Sequence, residues 1–124
     1  MIFLLTKGFF CAKLYKQILI YLYTHSGFWN MENAVKVFKA LSNEVRLEII
    51  QLLSESSLCV NALVNKTGIS QPAISQHLNV LENAGLVKGV KKGYWVHYEL
   101  VTERLQECAN LVLELTPKEV KVNE

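Results

Sequence analysis

The feature that most constrains the fold of this chain is a pair of helix-spaced stretches separated by Gly68. In "SSLCVNALVNKTG" the apolar residues fall on one side of a helix, and the glycine suits the helix end. In "ISQPAISQHLNVLENAG", Ser70 is a good N-cap, and Pro72 is tolerated in the first helical turn. Two helices joined by so short a turn predict a helix-turn-helix.

Helical spacing recurs on both sides of this pair. It predicts one helix in "MENAVKVFKAL" and another in "EVRLEIIQLLSE", which Ser42 or Asn43 can cap. A last helix is predicted in "TERLQECANLVLEL", with Thr102 as its expected cap.

The period changes from helical to strand-like in "LVKGVKKGYWVHYEL". This change predicts strands at about 86–91 and 94–100, joined by a turn at Lys92-Gly93. The expected fold is therefore mainly α with a small β-hairpin (α+β). It is a winged helix-turn-helix over residues 31–116, followed by a loose tail over 117–124.

The first thirty residues form a separate, apolar and aromatic N-terminal extension. Lys7, Lys13 and Lys16 interrupt any membrane span, and the charge does not precede the apolar run as in a signal peptide. Three interpretations stay open: an extra helix over roughly 9–23 that covers apolar surface, an overlong reading frame whose natural start is Met31, and an amphipathic membrane anchor. We expect no membrane partner for the main domain.

Charge and cysteine content narrow the class of protein. The net charge of +2 does not by itself indicate nucleic acid, but residues 56–98 hold four lysines against the single acid Glu82. The three cysteines are far apart and odd in number, which does not fit a secreted disulfide framework and favours the cytoplasm.

The outward face of the second helix of the pair is polar and almost uncharged. With Ile74 at the centre of the buried face, the helical period turns Gln76 and Asn79 outward and sets Gln71 and Ser75 on the flank. Such groups bond to base edges and phosphates, whereas carboxylates would be repelled. A polar face without a partner is the alternative. The lysines of the following hairpin favour DNA, because they release counterions from phosphates; they are Lys88, Lys91 and Lys92.

Three segments carry a resemblance to a known family: "KALSNEVRLEIIQLL", "SQPAISQHLNVLENAGLV" and "GYWVHYEL". In these the chain resembles the ArsR/SmtB family of winged-helix repressors. The resemblance implies a homodimer, two recognition helices in successive major grooves of a double-stranded operator, and release from DNA by an inducer, often a metal or metalloid.

The resemblance also implies roles for particular residues. The implied DNA contacts in the recognition helix are Ser70, Gln71, Ser75, Gln76 and Asn79. The dimer interface implied on the first and last helices includes Val35, Phe38, Leu105, Cys108, Leu111 and Val112. His77 matches a frequent family histidine, which we interpret first as a packing residue and second as a phosphate contact.

This chain departs from the family pattern at the residues that would bind an inducer. Family members that sense soft metals often carry Cys-Val-Cys, but here Asn61 stands where the second thiol would be, after Cys59. Two or three thiolates are needed for such a site, so we expect no metal site and no cofactor. Cys11 is the one residue that could complete a site with Cys59 for a metal or metalloid inducer. Otherwise oxidation or persulfidation of Cys59 or Cys108 is the expected route.

These observations predict a sequence-specific DNA-binding repressor. A winged-helix protein-interaction module without DNA binding is the alternative. An enzyme is not expected, because the three histidines are scattered, no Cys/His arrangement is apparent and no glycine-rich phosphate loop follows a strand.

Overall fold

The computed structural model describes residues 31–117 together with Leu14, Tyr15 and Ile18. Those three are helical and exposed, and the rest of the expected helix over 9–23 lies outside the described residues. So does most of the expected tail. The elements over residues 31–117 are α1 (Met31–Leu41), α2 (Glu44–Glu55), β1 (Leu58–Cys59), α3 (Val60–Thr67), α4 (Gln71–Asn83), β2 (Val87–Lys92), β3 (Trp95–Leu100) and α5 (Thr102–Glu114).

The apolar faces of the helices meet in one core. Its fully buried large side chains come from α1 through α4 and from the segment after α4; they are Val37, Ile49, Leu63, Ile74, Leu78, Leu81 and Leu86. Complete burial of each such side chain stabilises the fold by about 1.5–3 kcal/mol. Because α4 contributes three of them, its buried side is fixed and its opposite side faces outward, as the sequence predicted.

The helix ends follow from capping chemistry at the expected places. Asn43 caps α2 by accepting the Arg46 N–H at 3.1 Å. Gly68 has φ +72° and ends α3, and its N–H donates to the Val64 carbonyl at 2.8 Å. The Gly68 contact begins the turn between α3 and α4.

The end of α4 is a Schellman motif. The Gly85 N–H donates to the Glu82 carbonyl at 2.9 Å and the Leu86 N–H to the Leu81 carbonyl at 3.0 Å. Gly85 has φ +75°, a conformation that L-residues rarely adopt. The motif turns the chain from the helix directly into the sheet.

Two capping expectations need correction. Thr102 is the first residue of α5, and Val101 holds the cap position, where its apolar side chain cannot accept a hydrogen bond. The Val101 N–H donates to the Leu86 carbonyl at 2.8 Å. Ser70 does occupy the cap position of α4, but its side chain makes no capping bond.

The sheet is antiparallel with strand order β1-β3-β2. Lys92 pairs with Trp95, so the two-residue turn is Gly93-Tyr94 and not the expected Lys92-Gly93. Gly93 has φ +65°, which matches the preference for glycine at the first position of such a turn. The sequence also missed β1, whose two residues are too short to show a period; they pair with Tyr98 and His97.

None of the helices in the described ranges combines the length and apolar character that crossing a membrane requires.

Candidate nucleic-acid interface

The predicted base-reading side chains lie on the outer face of α4. Ser70, Gln71, Gln76 and Asn79 are exposed and Ser75 is partly exposed. Within the described part of the chain, none of the five side chains has a hydrogen-bond partner. Their donors and acceptors are therefore available to another molecule.

The dimensions of this face match a DNA groove. Gln71 and Asn79 are eight residues apart, which is about 12 Å along a helix, and the major groove is about 12 Å wide. The first turn of α4 contains no acidic residue, and the one acid of the helix, Glu82, lies near its C-terminal end. The N-terminal part of α4 is consequently compatible with the negative potential of DNA.

Arg46 joins three helices behind this face. Its Nε donates to the Ala40 carbonyl at 2.6 Å and its Nη2 to the Lys39 carbonyl at 3.2 Å, at the end of α1. Its Nη1 lies 3.4 Å from Nδ1 of His77 on α4. Since a guanidinium only donates, this contact is a hydrogen bond when Nδ1 carries no proton.

The Arg46 contact bears on the role of His77. His77 is half-buried and uses one ring nitrogen toward Arg46, which favours the packing interpretation over a phosphate contact. The sequence analysis did not single out Arg46. Its place three residues after the Asn43 cap was a usable signal, because a long cation there is adjacent to the carbonyl end of the preceding helix.

The hairpin formed by β2 and β3 is the wing of the fold. It carries the three predicted lysines on exposed positions of β2. Lys92 is partly engaged, because its Nζ donates to Ser57 Oγ at 3.3 Å and lies 3.8 Å from Glu99 Oε1. Lys88 and Lys91 have no such partner within residues 31–117. At the tip, Tyr94 is fully exposed and was not among the predicted site residues.

The cysteines occupy two different environments. Cys59 is half-buried at the end of β1, where its pairing partner on β3 is His97. Nδ1 of His97 is buried and has no hydrogen-bond partner among the described residues. No Cys/His arrangement was apparent from the sequence, because the strand that brings these two residues opposite each other was not predicted.

Cys108 belongs to the core, and only 5% of its surface is exposed. This burial leaves Cys108 almost no surface for the dimer interface in which it was expected, and it supports a packing role for the side chain. Burial also raises the pKa of the Cys108 thiol, which opposes the thiolate that oxidation requires.

The structure does not support a metal site among the described residues, and it does not describe Cys11. Cys11 lies outside the described residues, and the part of the chain that the structure describes holds no group of three or more potential metal-ligating residues of the His, Cys, Asp and Glu types.

Comparison with known proteins gives a consistent result. Residues 43–88 match the profile of the family described as "bacterial regulatory protein, arsR family". Over 85 residues the chain is 44% identical to the uncharacterized HTH-type transcriptional regulator MJ1325 of Methanocaldococcus jannaschii, which covers 68% of this chain and 96% of that protein. It is also 35% identical over 82 residues to the transcriptional repressor SdpR of Bacillus subtilis, and this match covers 66% of this chain and 91% of that protein.

Solved structures agree with these sequence matches. An ArsR-like transcriptional regulator from Rhodococcus sp. RHA1 superposes with a TM-score of 0.64 at 32% identity, covering 67% of this chain and 78% of that one. The homodimeric winged helix-turn-helix DNA-binding domain of Mb0332 from Mycobacterium bovis superposes with a TM-score of 0.58 at 29% identity, covering 68% and 81%.

Proposed function

This chain belongs to the arsR family of bacterial regulatory proteins, and on that premise we propose that it is a repressor released from its operator by an inducer. The family consists of DNA-binding transcriptional regulators, which are not enzymes. A protein-interaction module without DNA binding is not favoured by any of the relatives.

The observation that carries the proposal is the exposed, unbonded polar face of α4. Gln76 and Asn79 present carboxamides, which can bond to the edge of adenine with two hydrogen bonds. Ser70, Gln71 and Ser75 surround the helix start, where hydroxyl, amide and backbone N–H groups hold phosphates. The exposed lysines of the wing add the sequence-independent attraction.

We also propose that two copies bind one operator. The Mb0332 domain is homodimeric, and here the outer sides of α1 and α5 are apolar and exposed: Val35, Phe38, Val112 and Leu113 are each at least 38% accessible. Exposed apolar surface of this kind is typical of an interface. Two copies would set two α4 helices one helical turn of DNA apart.

The DNA-binding proposal is tested by comparing two variants on operator and random duplexes. The Gln76→Ala variant is expected to lose about 1–3 kcal/mol of binding to the operator with little change on random DNA. The Lys91→Ala variant is expected to weaken binding to operator and to random DNA equally. It should also reduce the salt slope, which is the slope of the logarithm of the binding constant against the logarithm of the salt concentration, by about 1. Fluorescence anisotropy from low to high salt measures both. Binding that is weak and independent of salt would refute the proposal.

The inducer is proposed not to be zinc or cadmium held at Cys59, because among the described residues only His97 lies opposite Cys59 as a further ligand. A thiol-directed signal at Cys59 fits the chain better. Cadmium titration of the reduced protein tests this through thiolate absorbance and operator binding. Stoichiometric coordination with loss of DNA binding, abolished in Cys59→Ser, would restore the metal sensor.

A further inference from the structure

A groove of about 400 Å³ runs between α1 and α4, beside the predicted base-reading face. On one side α1 contributes Lys36, Lys39 and Ala40, and on the other α4 contributes Val80, Asn83 and Ala84. Arg46 completes the lining. Among the described residues that line the groove there are thus three cations and no acid.

Two of the three cations are available to a ligand. Arg46 is bound to the carbonyls that end α1 and to His77. Lys36 and Lys39 are exposed, and neither ammonium has an ion-pair partner within the described ranges. Because they are three residues apart in α1, both project from the same side of that helix.

Two acids lie near this pair without lining the groove. Glu82 lines a neighbouring cavity of about 160 Å³ together with Lys36 and Arg104, and Glu32 precedes Lys36 by four residues on α1. Lys39 does not line that cavity. The groove therefore keeps a net positive charge.

The groove continues the DNA-reading face along the same helix. Val80 follows Gln76 by four residues and Asn83 follows Asn79 by four, so both lining residues lie on the side of α4 that carries the carboxamides. Asn83 is about 10.5 Å beyond Gln76. The major groove is about 12 Å wide, so a helix that reads bases with its N-terminal part brings its C-terminal part to the rim, where the phosphates are.

The charges of the groove answer an electrostatic need at this end of the helix. The C-terminus of α4 carries a partial negative charge that repels phosphate, and Glu82 adds to it. Lysines on the neighbouring helix offset this repulsion. Arg46 contributes indirectly, because it occupies the α1 carbonyls that would otherwise attract the Lys39 ammonium.

We propose that Lys36 and Lys39 bind phosphate oxygens of the operator backbone, so that the DNA-binding surface extends from α4 onto α1. This inference rests on the proposed function. It makes α1 a second phosphate-binding element beside the wing.

The test uses the full chain with Lys36→Gln and Lys39→Gln together, which removes two charges and keeps good helix formers. The control is Gln51→Glu with Ser54→Glu, which changes the net charge by the same amount at two exposed positions of α2 outside the groove and outside the proposed dimer interface. Each phosphate contact contributes about 0.9 to the salt slope. The lysine variant is expected to lose about 1.8 per protomer and to weaken operator and random DNA by the same factor, while the control keeps the wild-type slope.

Two further measurements guard against misfolding and against a different ligand. The variant with Lys36→Arg and Lys39→Arg should keep the wild-type slope, and melting curves establish that each variant is folded. If the glutamine variant does not fold, the wild-type protein is tested on operators carrying single neutral methylphosphonates, which should weaken binding at the rim positions beyond those nearest the wing. Inorganic phosphate in place of chloride, at equal ionic strength, should compete no better than chloride.

The outcomes separate this inference from the proposed function. A wild-type protein without salt-dependent operator binding would refute both. A wild-type protein that binds its operator, with an unchanged slope in the folded glutamine variant or no effect of rim methylphosphonates, would refute only the α1 contact. Specific competition by inorganic phosphate would overturn the assignment of the groove to DNA.

Discussion

At the scale of single residues, Arg46 connects the parts that the proposed function needs to keep in register. Its backbone N–H is taken by the Asn43 cap, and its guanidinium spans from the end of α1 to His77 on α4. Sequence reasoning predicted the cap and the buried side of α4. It did not predict the bridge, because three helices have to pack before one side chain can reach all of them.

We expect Arg46→Ala to lower the free energy of unfolding by about 1–3 kcal/mol, because the carbonyl of the buried Ala40 loses a charged donor at 2.6 Å. Arg46→Lys should fall between the alanine variant and the wild type, since one ammonium cannot reproduce the forked contacts. Urea unfolding followed by circular dichroism measures this. Equal stability of the lysine variant and the wild type would show that only the positive charge of Arg46, and not its forked contacts, stabilises the fold.

The two described thiols should differ in reactivity. Cys108 is buried and its pKa is raised by that burial, so little thiolate is present at neutral pH; Cys59 is half-buried. We expect iodoacetamide to modify Cys59 well before Cys108 in the folded protein, and the rate at Cys108 to keep rising into the alkaline range. Peptide mass spectrometry follows each site, and labelling in urea is the control, where both should react alike. Faster labelling of Cys108 would contradict its place in the core.

At the scale of elements, helices and turns with local signals were predictable and contacts between distant segments were not. Asn43 and Gly68 act through hydrogen bonds to residues three or four positions away, so the sequence contains both partners. The strand β1 exists only because β3 lies beside it, and Val101 holds the cap position of α5 with its N–H on the distant Leu86. The sequence could not predict these features from periodicity.

Two glycines that follow helices allow the backbone cost of a left-handed conformation to be separated from the steric cost of an added Cβ. Both have positive φ, but a Cβ at Gly68 meets nothing within 4 Å, whereas one at Gly85 lies 3.2 Å from Arg104 Nε. We expect Gly68→Ala to cost about 1–2 kcal/mol for the left-handed backbone alone. Gly85→Ala should cost more, because Arg104 has to move. Urea unfolding of both variants provides the comparison, and an equal loss would show that Arg104 yields freely.

At the scale of the whole molecule, the buried apolar residues of the described domain all lie between residues 34 and 108, within the range expected from periodicity. The predicted DNA contacts share one helix face and one hairpin, so local pattern was enough to predict them. The groove beside α4 was not foreseen, because Lys36 and Lys39 reach α4 only through the packing of α1. Of the residues expected in the dimer interface, Cys108 belongs to the core and Leu105 packs against it. Leu113 and Leu115 were not among the expected residues and are exposed.

The proposed dimer leads to the last prediction. Phe38 is 38% exposed on α1 and Val112 is 45% exposed on α5, and both would be buried between two copies. We expect Phe38→Glu or Val112→Glu to weaken association by about 3–5 kcal/mol, because each buries an unpaired carboxylate. Sedimentation should then show monomers at micromolar concentration, and operator affinity should fall.

The matched control is Leu47→Glu, which places the same charge on α2 at a residue that is 50% exposed and outside the proposed interface. This variant should remain dimeric and bind the operator normally. A monomeric wild-type chain that became dimeric when residues 1–30 were removed would assign the apolar surface of α1 and α5 to the N-terminal extension. A dimer that tolerated both glutamates would place the interface elsewhere, and the spacing of the two α4 helices would then have to be derived from that other surface.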